Sequence, residues 1–152
     1  MSKFGPAVEI TLENEGGYTE NSADPGGSTN FGISQREFPS IDIKDLTKEQ
    51  AEAIYQKNYW LFGGIVNQDV ANKLFDMYVN MEHAAIKIMQ RLVNVLPDGD
   101  YGSETEAAIN AAEPTSLLAK FRPALVQYYQ KVVQAHPEEA EFLEGWERRA
   151  NQ

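Results

Sequence analysis

The sequence predicts a predominantly α-helical protein of about six helices, with one loop-rich segment or short β-hairpin between residues 16 and 40. Two observations predict this class. Apolar residues recur every three to four positions over most of the chain. Residues 16–40 lack that period and are rich in Gly, Pro, Asn, Asp and Ser. The chain of 152 residues contains no cysteine, and it is long enough to bury a core without disulfides.

The first half of the chain contains three predicted helices. Apolar residues such as Val8 and Leu12 predict a helix from Phe4 to Glu15, ended by Gly16-Gly17. Thr47-Lys48-Glu49-Gln50 has the pattern of a capping box and predicts a second helix, closed by Gly63-Gly64. A continuous apolar stripe predicts a long third helix over residues 69–96.

The second half of the chain contains the remaining helices. Ser103-Glu104-Thr105-Glu106 also has the pattern of a capping box, and predicts a short helix to about Ala112. Residues 115–135 follow as a helix that Pro123 should kink or restart, and a last helix begins after Pro137. Because no linker interrupts the helix through Ala84, we predict two regions, 1–83 and 84–152, that share one compact core.

The charge of the chain restricts its partners. The sequence has 13 Lys plus Arg and 23 Asp plus Glu, a formal net charge of −10, which excludes a nucleic-acid partner. The N-terminus lacks the apolar core of a signal peptide, and no apolar run could span a bilayer. We therefore expect synthesis in the cytoplasm without membrane insertion.

Glu15, Asp24 and Thr29 form the one set of residues that suggests a chemical reaction. A carboxyl at the C-terminal end of a helix faces the negative end of its dipole, which favours the protonated form that a general acid needs. Inverting glycoside hydrolysis adds a second carboxylate about 6.5 to 9.5 Å away to activate water. Asp24 is the candidate base, and the Thr29 hydroxyl could hold the water. On spacing alone, a solvated glutamate and an Asp24-Pro25-Gly26-Gly27 turn are the simpler interpretations.

The same segment carries a family resemblance. Glu15-Gly16-Gly17-Tyr18 and residues 24–34 resemble the signature of glycoside hydrolase family 108, the N-acetylmuramidases of phages and bacteria. The order Glu, eight residues, Asp, four residues, Thr is similar to the triad of phage lysozymes, in which the second gap is usually one residue longer. Residues 46–51, 59–60 and 74–80 resemble later blocks of the family, which commonly has Gly at the position of Glu82.

The C-terminal part resembles the predicted peptidoglycan-binding module that accompanies this enzyme, in residues 88–92, 98–105 and 142–149. The resemblance therefore covers nearly the whole chain and implies a lysozyme-like helical fold. It also implies hydrolysis of the β-1,4 bond between N-acetylmuramic acid and N-acetylglucosamine. In that reaction Glu15 would be the general acid, with Asp24 and Thr29 positioning and activating water.

Four further residues are predicted to bind substrate. Tyr18 offers a flat ring beside Glu15, and Asn30 belongs to the signature. Asp76 and Asn80 lie four residues apart, hence on one helix face, and could point into a sugar-binding cleft. No cofactor or metal is expected, because two distant histidines and an incomplete acidic loop provide no ligand set.

The sequence is also compatible with two alternatives. The protein could be a lytic transglycosylase that uses Glu15 alone, or a non-catalytic peptidoglycan-binding or secretion-assisting protein. In each case the expected partner is the peptidoglycan glycan strand and the expected state is a monomer. Without a signal peptide, export to the wall in the periplasm or outside the cell would need a holin or a secretion system.

Overall fold

The computed structural model describes residues 1–20 and 27–152. It confirms the mainly α class, with seven α-helices in the described residues and one short antiparallel hairpin. In chain order the elements are α1 (Phe4–Glu15), β1 (Thr29–Asn30), β2 (Ile33–Ser34), α2 (Lys48–Asn58), α3 (Gln68–Met81), α4 (His83–Leu92), α5 (Ser103–Ala111), α6 (Pro114–Ala135), a 3₁₀ helix (Pro137–Phe142) and α7 (Leu143–Asn151).

Helix α1 has the predicted bounds. It ends because Gly16 takes a φ of 75°, and the Gly16 amide donates to the Leu12 carbonyl at 3.2 Å. Ala7, Val8 and Leu12 are its buried apolar side chains, and this face packs against α3. Glu15 lies one turn beyond the buried residues Thr11 and Leu12, so its side chain is on the face of α1 that packs inward.

The predicted hairpin is also confirmed. Thr29 pairs with Ser34 and Asn30 with Ile33, which leaves Phe31 and Gly32 as a two-residue turn. Both turn residues have positive φ, 51° and 76°, as the turns that match the twist of a hairpin require.

Helix α2 begins as predicted and ends earlier than predicted. Thr47 accepts from the Gln50 amide and the Gln50 side chain accepts from the Thr47 amide, so the capping box is complete. The helix stops at Asn58 and not at Gly63-Gly64. Phe62 and Ile65 are fully buried, and the chain has to leave the helix to place both in the core.

The predicted long helix over residues 69–96 is wrong, because the structure has two helices there. Helices α3 and α4 are separated by Glu82, whose φ of 50° and ψ of −127° are incompatible with a helix. Helix α4 then ends at Leu92, ahead of Pro97. The apolar stripe continues across the break because α3 and α4 pack into the same core, so periodicity alone cannot reveal one non-helical residue.

Two further predictions in the second half need correction. Gly102 precedes α5 and Ser103 is its first residue, with no side-chain cap, so the second capping box does not form. Helix α6 runs through Pro123 without a restart. Pro123 and Ala119 are both exposed, so water can satisfy the carbonyl that loses its partner. The segment after Pro137 is a 3₁₀ turn before it becomes α7.

One hydrophobic cluster contains side chains from both halves of the chain. Phe75 of α3 lies with Met89 of α4 and with Phe121 and Leu125 of α6, all fully buried. The division at residues 83 and 84 stays a prediction. None of the described helices is long and apolar enough to cross a membrane.

The backbone of Glu82 generates a prediction. A side chain at positive φ carries a strain of about 1 to 2 kcal/mol that glycine avoids. We expect Glu82→Gly to raise the free energy of unfolding by about 1 kcal/mol in urea denaturation, after allowing for the greater freedom of glycine in the unfolded chain.

Glu82→Ala is the matched control, because it removes the same carboxylate and keeps the Cβ atom. We expect it to leave the free energy of unfolding within about 0.5 kcal/mol of the parent. An equal gain in both variants would mean that the charge of Glu82, and not its backbone, limits stability.

Candidate active site

Glu15 is the last residue of α1, and its side chain is 20% exposed. Its Oε1 lies 2.9 Å from Nη2 of Arg149. Its Oε2 faces the hairpin turn, where a Cβ atom built on Gly32 would lie 2.7 Å from that oxygen. Only glycine fits beside the carboxyl without displacing it, so the hairpin and α7 hold Glu15 from two sides.

Arg149 also forms a bidentate ion pair with Asp76 of α3. Its Nε donates to Oδ2 at 3.0 Å and its Nη2 donates to Oδ1 at 2.9 Å. Asp76 is only 1% exposed. It accepts two more hydrogen bonds from α1, at 2.9 Å from the Thr11 hydroxyl and at 3.2 Å from the Asn14 amide. The buried carboxylate is therefore fully satisfied, which is the condition for tolerating its desolvation.

The pKa of Arg149 depends on both carboxylates. Burial opposes its charge, but the hydrogen bond with Asp76, the negative charge of Asp76 and then that of Glu15 raise the pKa of Arg149 above its ordinary value. The Arg149 side chain, which is 11% exposed, is thus a permanent cation. One guanidinium joins α1, α3 and α7 at this point.

A buried lysine fixes the end of α7. Lys73 Nζ donates to the Arg149 carbonyl at 2.6 Å, and Lys73 is 8% exposed. Burial lowers the pKa of Lys73 to about 8, partly opposed by the negative charge of Asp76. The amine holds the main chain of Arg149 while Asp76 holds its side chain.

The hairpin is anchored to the body of the molecule. The Tyr55 hydroxyl donates to the Phe31 carbonyl at 2.7 Å, and burial, with the charge of Glu15 as a further cause, raises the pKa of Tyr55 above its ordinary value. Asn30 is 6% exposed, and its amide donates to the Ile43 carbonyl at 3.0 Å. Asn30 thus attaches the hairpin to the following loop, and its predicted contact with substrate stays a prediction.

The predicted site residues Tyr18 and Thr29 lie next to this hairpin. Thr29 pairs through its main chain with Thr19, at 2.8 and 2.9 Å, and it is partly exposed. Tyr18 is 39% exposed, and its hydroxyl donates to Ser28 Oγ at 3.3 Å. Asp24 lies outside the described residues, so its distance from Glu15 and its role stay predictions.

Asp76 and Asn80 share one side of α3, as predicted, but they have different surroundings. The Asp76 carboxylate is occupied by Arg149 and α1. The Asn80 side chain accepts a hydrogen bond from the Tyr129 hydroxyl. It also lines a cavity of about 380 Å³ with Tyr129 and Trp146, whose rings stack 5.2 Å apart. Asn80 therefore lies beside an open aromatic surface, whereas Asp76 is buried and contacts Arg149, the residue that holds Glu15.

Sequence reasoning did not find three residues that shape the site: Arg149, Lys73 and Gly32. A partial signal existed in the sequence, because Asp76 is flanked by Phe75 and Met77 within an apolar stretch, and a carboxylate that becomes buried needs a cation. Nothing local indicated that the cation would come from the last helix. In the part of the chain that the structure describes, no group of acidic or histidine side chains is placed to hold a metal ion.

A mainly helical body with one small antiparallel hairpin, which lies against the glutamate at the end of α1, has the architecture of a lysozyme-like fold. Comparisons with known proteins agree. The family model described as Glycosyl hydrolase 108 matches residues 8–81, and the model described as Predicted Peptidoglycan domain matches residues 84–151. The chain therefore belongs to glycoside hydrolase family 108 and carries a peptidoglycan-binding module, so it is a glycoside hydrolase that acts on peptidoglycan.

A solved structure is similar over nearly the full length. The structure titled "Structure of Brucella abortus SagA" is 25% identical in sequence and matches with a TM-score of 0.74. The match covers 97% of this chain and 92% of that chain. No curated protein matched the sequence. The predicted recognition and the lysozyme-like fold are confirmed.

The Arg149 ion pairs generate a prediction. Arg149→Met removes the cation that two carboxylates share and leaves Asp76 buried without it. We expect a loss of about 3 to 5 kcal/mol in the free energy of unfolding, measured by urea denaturation. Adding Asp76→Asn to Arg149→Met should recover part of the loss, because the uncompensated charge is then gone.

Arg148→Met is the matched control, because it removes the same charge from the adjacent position of α7. Arg148 pairs with Glu144 on the exposed side of the helix, where such pairs contribute little. Arg148→Met should lower the free energy of unfolding by less than about 0.5 kcal/mol. If both variants lowered it by similar amounts, the effect of Arg149→Met would come from the loss of a positive charge on α7 and not from the buried contact.

The pKa of Lys73 generates a pH prediction. Between pH 8 and 10.5 the unfolded chain holds a proton on Lys73 that the folded chain releases, so folding becomes more favourable as pH rises through this window. Below pH 8 the full penalty of charging the buried amine is present. We expect the stability of wild type relative to Lys73→Met to rise by about 1 to 2 kcal/mol from pH 7.5 to pH 10.

Comparing the two proteins at each pH cancels the titration of other groups, including the tyrosines. Lys120→Met, at an exposed position of α6, provides the control and should show no such trend. A flat difference between wild type and Lys73→Met would mean that the Lys73 amine is not desolvated in the folded protein.

Proposed function

We propose that this protein hydrolyses the β-1,4 bond between N-acetylmuramic acid and N-acetylglucosamine, with Glu15 as the general acid. The family supports a glycosidase of peptidoglycan. The observation that carries the assignment of Glu15 is its carboxyl, fixed between Arg149 and the Phe31-Gly32 turn and still partly open to solvent. A general acid has to be held in one position and also reach the leaving oxygen.

The two oxygens of Glu15 have different surroundings, which suits this role. Oε1 accepts from Arg149. Oε2 is turned toward Gly32 and is the oxygen on which a transferable proton would reside. A protonated carboxyl can still accept from Arg149 through Oε1 while Oε2–H donates to the glycosidic oxygen. The contact with Arg149 thus orients the carboxyl that would donate the proton.

Water activation is assigned to Asp24 and Thr29 in this proposal. Thr29 supports it by position, because it belongs to the hairpin whose turn contacts Glu15. Asp24 would take the proton from the attacking water as Glu15 gives its own to the leaving sugar, and the anomeric carbon would be inverted. Tyr18 and Asn80, which are both partly exposed, would contact the glycan on either side of the bond.

The place of action follows from the substrate. We propose that the protein, as a monomer, reaches the wall in the periplasm or outside the cell through a holin or a secretion system.

The direct test is peptidoglycan hydrolysis by Glu15→Gln, which keeps the size of the side chain and removes the acid. We expect the rate of turbidity loss to fall by about 10² to 10⁴. Glu9→Gln, at an exposed position on the same helix, is the control and should lyse like wild type. Lysis by Glu15→Gln at the wild-type rate would remove Glu15 from the mechanism.

Mass spectrometry of the wild-type products tests the reaction type. A hydrolase leaves a reducing muramic acid end, because water attacks the anomeric carbon. Anhydromuramoyl ends would instead show a lytic transglycosylase, in which the 6-hydroxyl of the sugar attacks, and would overturn the hydrolytic proposal. Binding to sacculi without any soluble product would favour the non-catalytic alternative.

A further inference from the structure

A groove of about 560 Å³ lies between α4 and α6, away from the residues assigned to catalysis. Its floor and walls include the apolar side chains of Ile88 and Leu92 and the ring of Tyr128. Lys87, Arg91 and Lys131 also line it, and no acidic residue is among its lining residues. The groove is therefore apolar in its depth and cationic at its rim.

This charge is unusual for the chain. The protein has a net charge of −10, yet three of its cations meet in one groove. Among the described residues, no carboxylate forms an ion pair with Lys87, Arg91 or Lys131. Asp98 interacts only weakly with Lys87. Hydrogen bonds from the Asp100 amide and the Gln90 side chain lower the pKa of Asp98 most, and the charge of Lys87 lowers it by a smaller amount. The three cations are thus available to an external anion.

The helices present these cations together. Lys87 and Arg91 lie one turn apart on α4, and Tyr128 and Lys131 lie one turn apart on α6, so each pair shares a face. Helices α4 and α6 pack against each other, and Ile88 and Leu125 both belong to the common core. The groove between them is open in this structure.

The groove adjoins the aromatic cavity that Asn80 lines. Tyr128 lines both the groove and the aromatic cavity that contains Asn80 and Trp146. The Tyr128 ring lies 5.8 Å from the ring of Tyr129, whose hydroxyl binds Asn80. A glycan near Glu15 could therefore extend its peptide substituent along Tyr128 into the groove.

We propose that this groove binds the carboxylate-bearing stem peptide of peptidoglycan and so selects wall segments that still carry their peptides. The proposal rests on the proposed function, since it assigns a further part of the same substrate. Stem-peptide carboxylates match the three cations, and alanine methyl groups match the apolar floor. A phosphate polymer would match the cations but not the Ile88 and Leu92 surface. The groove also provides local attraction that the acidic protein otherwise lacks.

The test is calorimetric binding to a soluble disaccharide-tetrapeptide, to the same compound with its carboxyls amidated, and to the peptide-free disaccharide. The full chain is used with Glu15→Gln to prevent turnover. In the parent, amidation should weaken binding at least 10-fold, a comparison that requires no change to the groove.

The triple variant Lys87→Gln/Arg91→Gln/Lys131→Gln tests the groove itself. It should lower the affinity for the tetrapeptide compound with free carboxyls by at least 10-fold. The ratio of affinities for stem-bearing and stem-free ligands should then approach one.

The matched control is Lys44→Gln/Lys57→Gln/Lys120→Gln, which removes three exposed cations elsewhere and should change affinity less than 2-fold. Equal losses in both triple variants would reduce the effect to overall charge and overturn the proposal. The proposal would also be overturned if the parent bound the amidated ligand as tightly as the free one. It would be overturned as well if the Lys87/Arg91/Lys131 triple variant still bound the tetrapeptide compound but lost binding to a phosphate polymer such as a teichoic acid. Release of product from peptide-free glycan by wild type tests the proposed function separately, because that substrate carries no stem peptide.

Discussion

The contact on which the rest of the structure depends is the guanidinium of Arg149. It bonds Asp76 through two nitrogens and the Glu15 carboxyl through one of them. Ala150 is the one fully buried side chain of helix α7, while Leu143 and Trp146 pack partly buried against the core. The polar contacts of Arg149 add a fixed point at the last turn of this helix. The same contacts fix the side chain that the proposed reaction uses.

This arrangement links the two matched regions of the chain. Glu15 and Asp76 lie in residues 8–81 and Arg149 in residues 84–151. A buried ion pair is a weak source of stability compared with apolar packing, but it can fix geometry where packing cannot. Thr11 and Asn14 complete the shell of Asp76, and Lys73 holds the carbonyl of Arg149. The second matched region therefore contributes a side chain that contacts Glu15, the residue of the first region to which the proposed reaction assigns the proton.

Local signals made part of this structure predictable. The bounds of α1, the capping box at Thr47 and the hairpin at residues 29–34 each depend on neighbours within a few residues, and each is confirmed. The break at Glu82 was not predictable from periodicity, because both helices bury the same stripe. Arg149 illustrates the larger gap: its partners lie far away in sequence, and only the tertiary fold brings them together. Glu15 itself was singled out by its place at a helix end and by family resemblance, whereas the residues that orient it were not.

Arg149 holds the carboxyl of Glu15 in place, and a double-mutant cycle measures the coupling between these two side chains. Glu15→Ala, Arg149→Met and the double variant are compared with wild type by urea denaturation. We expect a coupling free energy of about 1 kcal/mol or more, because the pair is largely shielded from solvent. Additive effects, with coupling below about 0.3 kcal/mol, would contradict it and would leave Asp76 as the only functional partner of Arg149.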